Sequence, residues 1–176
     1  MRILGASLAL VLIDQVTKLY IKSTFALGES IPILGDFLRI TFVENPGMAF
    51  GMRFAGRWFL TLFSFIASAV IVIFLYRLRT EPLRLRLPLA LVLGGAIGNL
   101  IDRFLFGKVV DFIEVSVGSF HWPVFNVADI GVSVGMVVMV VLVIFDKDEH
   151  QEDTSVVKMS APNPADSEER DIWKDQ

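Results

Sequence analysis

Two carboxylates, Asp111 and Asp129, stand eighteen residues apart in a chain that offers few other reactive groups. Brought together in a partly desolvated site, two such acids cannot both ionise easily and share one proton. One of them can then take a proton from water. The other donates a hydrogen bond to a scissile carbonyl and later a proton to the leaving amine, which is aspartic-protease chemistry. Further polar groups interrupt apolar runs: Asp14 with Lys18 one helical turn on, then Asn99, Asp102 and Arg103, and Asn126 three residues before Asp129. A charge at the centre of a membrane helix costs about 2.5 to 3.5 kcal/mol on the insertion scale, so each of these is a candidate functional residue.

Every one also has a structural reading. Asp14 and Lys18, four apart, can simply neutralise each other on a bundle-facing side. Asn99 and Arg103 are likewise four apart, and Asp102 and Arg103 lie near a span end from which long side chains snorkel. Asn126 and Asp129 have the spacing of a helix N-cap and its N3 acid, a capping box that needs no catalysis.

Other mechanisms have little to work with. The chain has no cysteine, which removes disulfides, thiolate nucleophiles and cysteine-ligated metals. Its two histidines, His121 and His150, cannot furnish a histidine-rich metal site. A serine mechanism would have to pair Ser116 or Ser119 with His121 in one connection that has no Gly-x-Ser-x-Gly elbow. No metal or cofactor is expected, and no nucleic-acid motif occurs.

The elements that must position these residues are spans. Of 176 residues, 54% are hydrophobic and 20% charged, too apolar for an ordinary soluble domain. Residues 58–76 contain no charge over nineteen positions, about 28 Å of helix against a hydrocarbon core of about 30 Å. Further spans are read over 3–21, 87–106 and 126–145. Arg2 followed by an apolar run resembles a signal peptide, but the amphipathic stretch Asp14 to Lys22 and the lack of a small-x-small cleavage site favour a retained span. Gly94 with Gly98, and Gly131 with Gly135, have the spacing that lets helices approach closely in lipid, which would bring Asp129 near the end of span three.

The connection 77–86 carries Arg77, Arg79, Arg84 and Arg86 against one acid, which places it and both termini in the cytoplasm. The first connection opposes this weakly with Lys22, Arg39, Arg53 and Arg57. Within it, Leu38, Ile40 and Phe42 alternate before the turn signal Asn45-Pro46-Gly47, so a small extracytoplasmic sheet is expected at about 29–55. The net charge of −3 conceals a split: residues 146–176 hold ten acids and four bases, and residues 1–145 hold twelve bases and nine acids. The acidic segment is expected to be a disordered cytoplasmic tail behind a four-helix membrane domain of 1–145.

Five blocks stand in order along these spans: Asp14-Gln15-Val16-Thr17-Lys18, Asn45-Pro46-Gly47-Met48-Ala49-Phe50-Gly51, Gly94 to Arg103, Val109-Val110-Asp111-Phe112 and Phe125-Asn126-Val127-Ala128-Asp129. Together they resemble the lipoprotein signal peptidases, or type II signal peptidases. The resemblance implies a globomycin-sensitive aspartic endopeptidase of the bacterial inner membrane, with its site toward the outer face. Such an enzyme cuts the signal peptide from a lipid-modified prolipoprotein immediately before the diacylglyceryl-cysteine. It implies Asp111 and Asp129 as the catalytic pair. Asp14, Asn45, Asn99, Arg103 and Asn126 match residues that line or support the site, and Lys18 and Asp102 stand in the same blocks. Phospholipid and the precursor are the expected partners, and four spans around one site require no second copy. The acidic tail is longer than the family leads one to expect. A different class, a small transporter using the carboxylates as a relay, would need acids spread through the bilayer, whereas these, apart from Asp14, gather near one face.

Overall fold

The structure, a computed structural model, describes residues 2–47 and 57–160. Contacts divide the chain into one unit of residues 1–139 and a second from 140 onward. Among the described residues, four helices are long and apolar enough to cross a membrane: α1 (Leu4–Thr24), α2 (Arg57–Arg77), α3 (Leu83–Phe106) and α4 (Val127–Ser160), the last over Val127–Phe145. Half of the α3 span is buried, against 17 to 22% for the others, so α3 is the element on which the bundle packs.

At the end of the bundle where α1 and α3 finish and α2 and α4 begin lies an antiparallel sheet in the order β1 (Ser30–Leu34), β2 (Leu38–Asn45), β3 (Val109–Val117) and β4 (Phe120–His121). The expected sheet lay in the first connection alone. Its second half instead comes from the connection between α3 and α4, and β2 pairs with β3 over Leu38–Asn45. The alternation that marks a half-exposed strand is missing from Val109–Phe112 because all four residues are buried. The portion of the expected β region over 48–55 lies outside the described residues.

Gly107 makes the abrupt change from α3 to β3 possible. Its φ of 73° is left-handed, and its N–H caps the helix on the Arg103 carbonyl at 3.0 Å. Asp111 follows four residues later. Two apolar clusters bracket the level of the polar residues. Ile3, Leu75, Leu89, Ala90 and Leu93 fill one end of the bundle, and Ile21, Phe42, Val110 and Phe112 join α1 to the underside of the sheet.

Of the four glycines expected where α3 and α4 approach, Gly98 and Gly135 lie there, joined by Gly95. A Cβ on Gly95 would stand 2.2 Å from the Ala128 carbonyl oxygen, and one on Gly135 would stand 2.6 Å from that of Pro88. Gly94 and Gly131 instead accommodate Leu10 of α1.

Helix α3 begins at Leu83, four residues before its expected start, because Arg84 and Arg86 are taken into the first turns. Helix α4 continues to Ser160, so residues 146–160 are helical where disorder is expected. Residues 161–176 lie outside the described residues.

Candidate active site

Asp111 is carried on β3 beneath the sheet and is 3% exposed. Across the ladder Asn45 ends β2, and its Nδ2 donates to Asp111 Oδ2 at 3.0 Å. The Asn45 Oδ1 accepts the Gly47 N–H at 2.9 Å, closing a turn. That donor fixes which way round the amide sits.

Asp129 lies in the first turn of α4. Its backbone N–H donates to Asn126 Oδ1 at 3.0 Å, and the Asn126 N–H donates to Asp129 Oδ2 at 3.1 Å. This is the reciprocal capping box that the spacing announces. The same Asn126 does more than cap, since its Nδ2 donates to Asp111 Oδ1 at 2.6 Å and lies 3.2 Å from Asn99 Oδ1 and 3.3 Å from the Val110 carbonyl. Asn126 is fully buried and links the two acids.

Asn99, on α3, donates through Nδ2 to Asp129 Oδ1 at 2.8 Å. Each of the four carboxylate oxygens therefore accepts a hydrogen bond, and the side chains of Asn45, Asn99 and Asn126 supply three of the four. All three present the NH₂ end because their oxygens face donors. An aspartate in any of these places would set charge against charge.

Beneath the pair lies Lys18, 2% exposed, with its ammonium 2.8 Å from Asp14 Oδ2, 2.9 Å from Asp102 Oδ2 and 3.0 Å from Asn99 Oδ1. Asp14 also accepts the Ala128 N–H at 2.9 Å, satisfying an otherwise open amide at the start of α4. Asp102 accepts the Val110 N–H at 3.3 Å. Gln15 completes the cluster, its Nε2 lying 3.1 Å from Asp102 Oδ1 and 3.2 Å from both Asp14 Oδ2 and the Gly98 carbonyl.

Asp111 and Asp129 line one cavity of about 390 Å³, walled also by Asn45, Leu60, Arg103, Trp122 and Phe125. The Arg103 Nε is buried there and has no hydrogen-bond partner among the described residues. Burial pushes the Asp111 carboxyl up to about 6, and the nearby Asp129 charge adds to this, while the hydrogen bonds from Asn45 and Asn126 and the Lys18 charge oppose it. No group of metal-ligating side chains occurs among the described residues.

The structure brings all nine singled-out residues into one connected region, but it divides the α3 group. Asp102 turns into the Lys18 cluster at 2% exposure, away from the position from which it would snorkel, while Arg103 faces the cavity. Asp14 and Lys18 form the expected pair and gain Asp102 as a third member. Gln15 was missed, although an amide beside Asp14 in an apolar span is the same kind of signal. The walls Leu60, Trp122 and Phe125 gave none.

A family model described as Signal peptidase (SPase) II matches residues 6–145. A lipoprotein signal peptidase from Syntrophus aciditrophicus is 46% identical over 136 residues, covering 74% of this chain and 84% of the relative. One from Desulforapulum autotrophicum is 44% identical over 152 residues, covering 83% and 93%. A solved bacterial membrane enzyme superimposes with a TM-score of 0.76 at 30% identity, over 84% of this chain and 90% of that one.

Proposed function

The chain belongs to the signal peptidase II family of bacterial membrane peptidases, which remove signal peptides from prolipoproteins, and from that premise we propose that it works as an aspartic endopeptidase with Asp111 and Asp129 as its catalytic pair. The bond cut is the one before the diacylglyceryl-cysteine. The observation that carries this reading is that two carboxylates from different elements share one cavity, with every oxygen held by a donor.

The steps follow from the environments of the two acids. Asp111, with its carboxyl raised to about 6 chiefly by burial, is the group that holds the shared proton. It hydrogen-bonds the scissile carbonyl oxygen. Asp129, at the positive end of α4, is the base. It removes a proton from water as the water oxygen bonds to the carbonyl carbon, giving a tetrahedral intermediate. Collapse breaks the C–N bond, and a proton passes to the amine that leaves as the new N-terminus. Such a pair titrates as a unit, so the assignment describes the resting arrangement. Arg103 lines the same cavity, its Nε without a hydrogen-bond partner among the described residues, and suits a carbonyl oxygen of the lipidated precursor. The arginines of the 77–86 connection support an orientation with the cavity toward the outer face of the inner membrane and both termini in the cytoplasm.

The test is a gel-shift assay of purified protein in detergent with a diacylglyceryl-modified precursor. Asp111→Asn and Asp129→Asn each leave the protein folded and abolish cleavage, because an amide cannot carry the proton. Full cleavage by either variant overturns the pair.

A further inference from the structure

Lys18 takes no part in those proton transfers, yet its ammonium is buried and spends all three N–H groups on Asp14 Oδ2, Asp102 Oδ2 and Asn99 Oδ1. Each of the three partners ends on a segment that carries one of the two acids. Asn99 passes its Nδ2 to Asp129 itself at 2.8 Å. Asp14 holds the N–H of Ala128, the residue before Asp129, at 2.9 Å. Asp102 holds the N–H of Val110, the residue before Asp111, at 3.3 Å. One charge on α1 thus reaches the start of α4 by two routes and β3 by a third.

Stability alone does not call for an ammonium here. Replacing a buried ionic group by apolar side chains of similar volume is often neutral or stabilising, so a buried charge of this kind needs another reason. The Asn99 amide supplies one. With the donor-only ammonium at its oxygen, its NH₂ must face Asp129. The other donor on that oxygen, Asn126 Nδ2 at 3.2 Å, is shared with Asp111 Oδ1 and the Val110 carbonyl and does not hold the amide by itself.

We infer that Lys18 is a positioning residue of the reaction: it orients Asn99 onto Asp129 and, through Asp14 and Asp102, sets the spacing between the start of α4 and β3, and so between the two acids. The inference rests on the reading of Asp111 and Asp129 as the catalytic pair. Misplacement of reacting groups by about 1 Å costs on the order of 100-fold in rate.

The experiment compares kcat, KM and thermal midpoint in detergent for Lys18→Met, Lys18→Met with Asp102→Asn, Asn99→Asp and Asp111→Asn, with a synthetic peptide carrying a diacylglyceryl-cysteine as substrate. In Lys18→Met, kcat falls about 100-fold while KM stays within about threefold, since no substrate contact is removed. The double variant restores the net charge of the cluster and recovers thermal midpoint, but kcat stays low. Asn99→Asp keeps Lys18 paired and the protein folded while setting charge against Asp129, and its kcat is low too. These last two decide the matter if Lys18→Met alone does not fold. A double variant with kcat within threefold of wild type overturns the inference, because Lys18 then only neutralises charge. A fully active Asn99→Asp overturns it as well. Cleavage by Asp111→Asn overturns the catalytic pair itself, whereas an inactive Asp111→Asn beside a fully active double variant removes only the role of Lys18.

Discussion

Asn126 Nδ2 donates to Asp111 Oδ1 at 2.6 Å while the rest of the Asn126 residue caps the helix that begins with Asp129. One side chain therefore sets a helix start and the relation between two acids. The two duties separate on substitution. Aspartate caps a helix about as well as asparagine does, so Asn126→Asp keeps the helix start, and its thermal midpoint falls through the buried like charge set against Asp111 and not through loss of the cap. Its carboxylate replaces a donor to Asp111 with a like charge, and cleavage is lost. Thermal unfolding and the precursor assay check the two halves independently, and a variant that still cleaves would mean that this hydrogen bond has no bearing on the reaction.

The raised Asp111 carboxyl has a pH consequence whose sign is definite. An acid that must be protonated to act loses its proton as pH rises through about 6, so kcat/KM falls on the alkaline side with an apparent value at or above that. The Asn45 hydrogen bond favours the charged form and opposes the rise. Removing it in Asn45→Ala raises Asp111 further and moves the alkaline limb to higher pH. Rates measured from pH 5 to 9 test this, and a flat wild-type profile, or a limb that moves downward in the variant, excludes Asp111 as the acid.

Gly98 faces the Lys18 cluster, and a Cβ there would stand 2.6 Å from Asp14 Oδ2, the oxygen bonded to Lys18, and 3.2 Å from Ala128 Cβ. Gly98→Ala must displace either a buried carboxylate or the start of α4. A cost of about 1 to 3 kcal/mol in stability is expected from overpacking, with a drop in cleavage. Gly5→Ala on α1, where a Cβ meets nothing within 4 Å, is the control. It should be neutral or slightly stabilising. Equal thermal midpoints for the two variants would show that the contact between α1, α3 and α4 yields at no cost.

The spans, the glycine-mediated approach of α3 and α4 and the capping box were legible because each leaves a local mark: an uncharged run, a four-residue spacing, an acid three after an amide. The pairing of β2 with β3 left none. Val109–Phe112 is buried on both faces and shows no alternation, so the contact that puts Asn45 against Asp111, sixty-six residues away, had to come from the fold. Asp102 misled for a similar reason. Its neighbour Arg103 faces the cavity, and only the packing of α1 on α3 turns Asp102 the other way, onto Lys18.

Every residue of the candidate site lies at or before Asp129, while the acidic segment beginning at Asp146 holds ten acids and four bases. A chain truncated before Asp146 keeps the α4 span Val127–Phe145 and every hydrogen bond to Asp111 and Asp129. Its kcat and KM in detergent should match those of the full chain within about twofold, because none of the hydrogen bonds that hold the two acids comes from the removed segment. Side-by-side cleavage at low and at physiological salt checks this. A loss of more than tenfold that persists at both salt concentrations would give the segment a part in the reaction that charge alone does not explain.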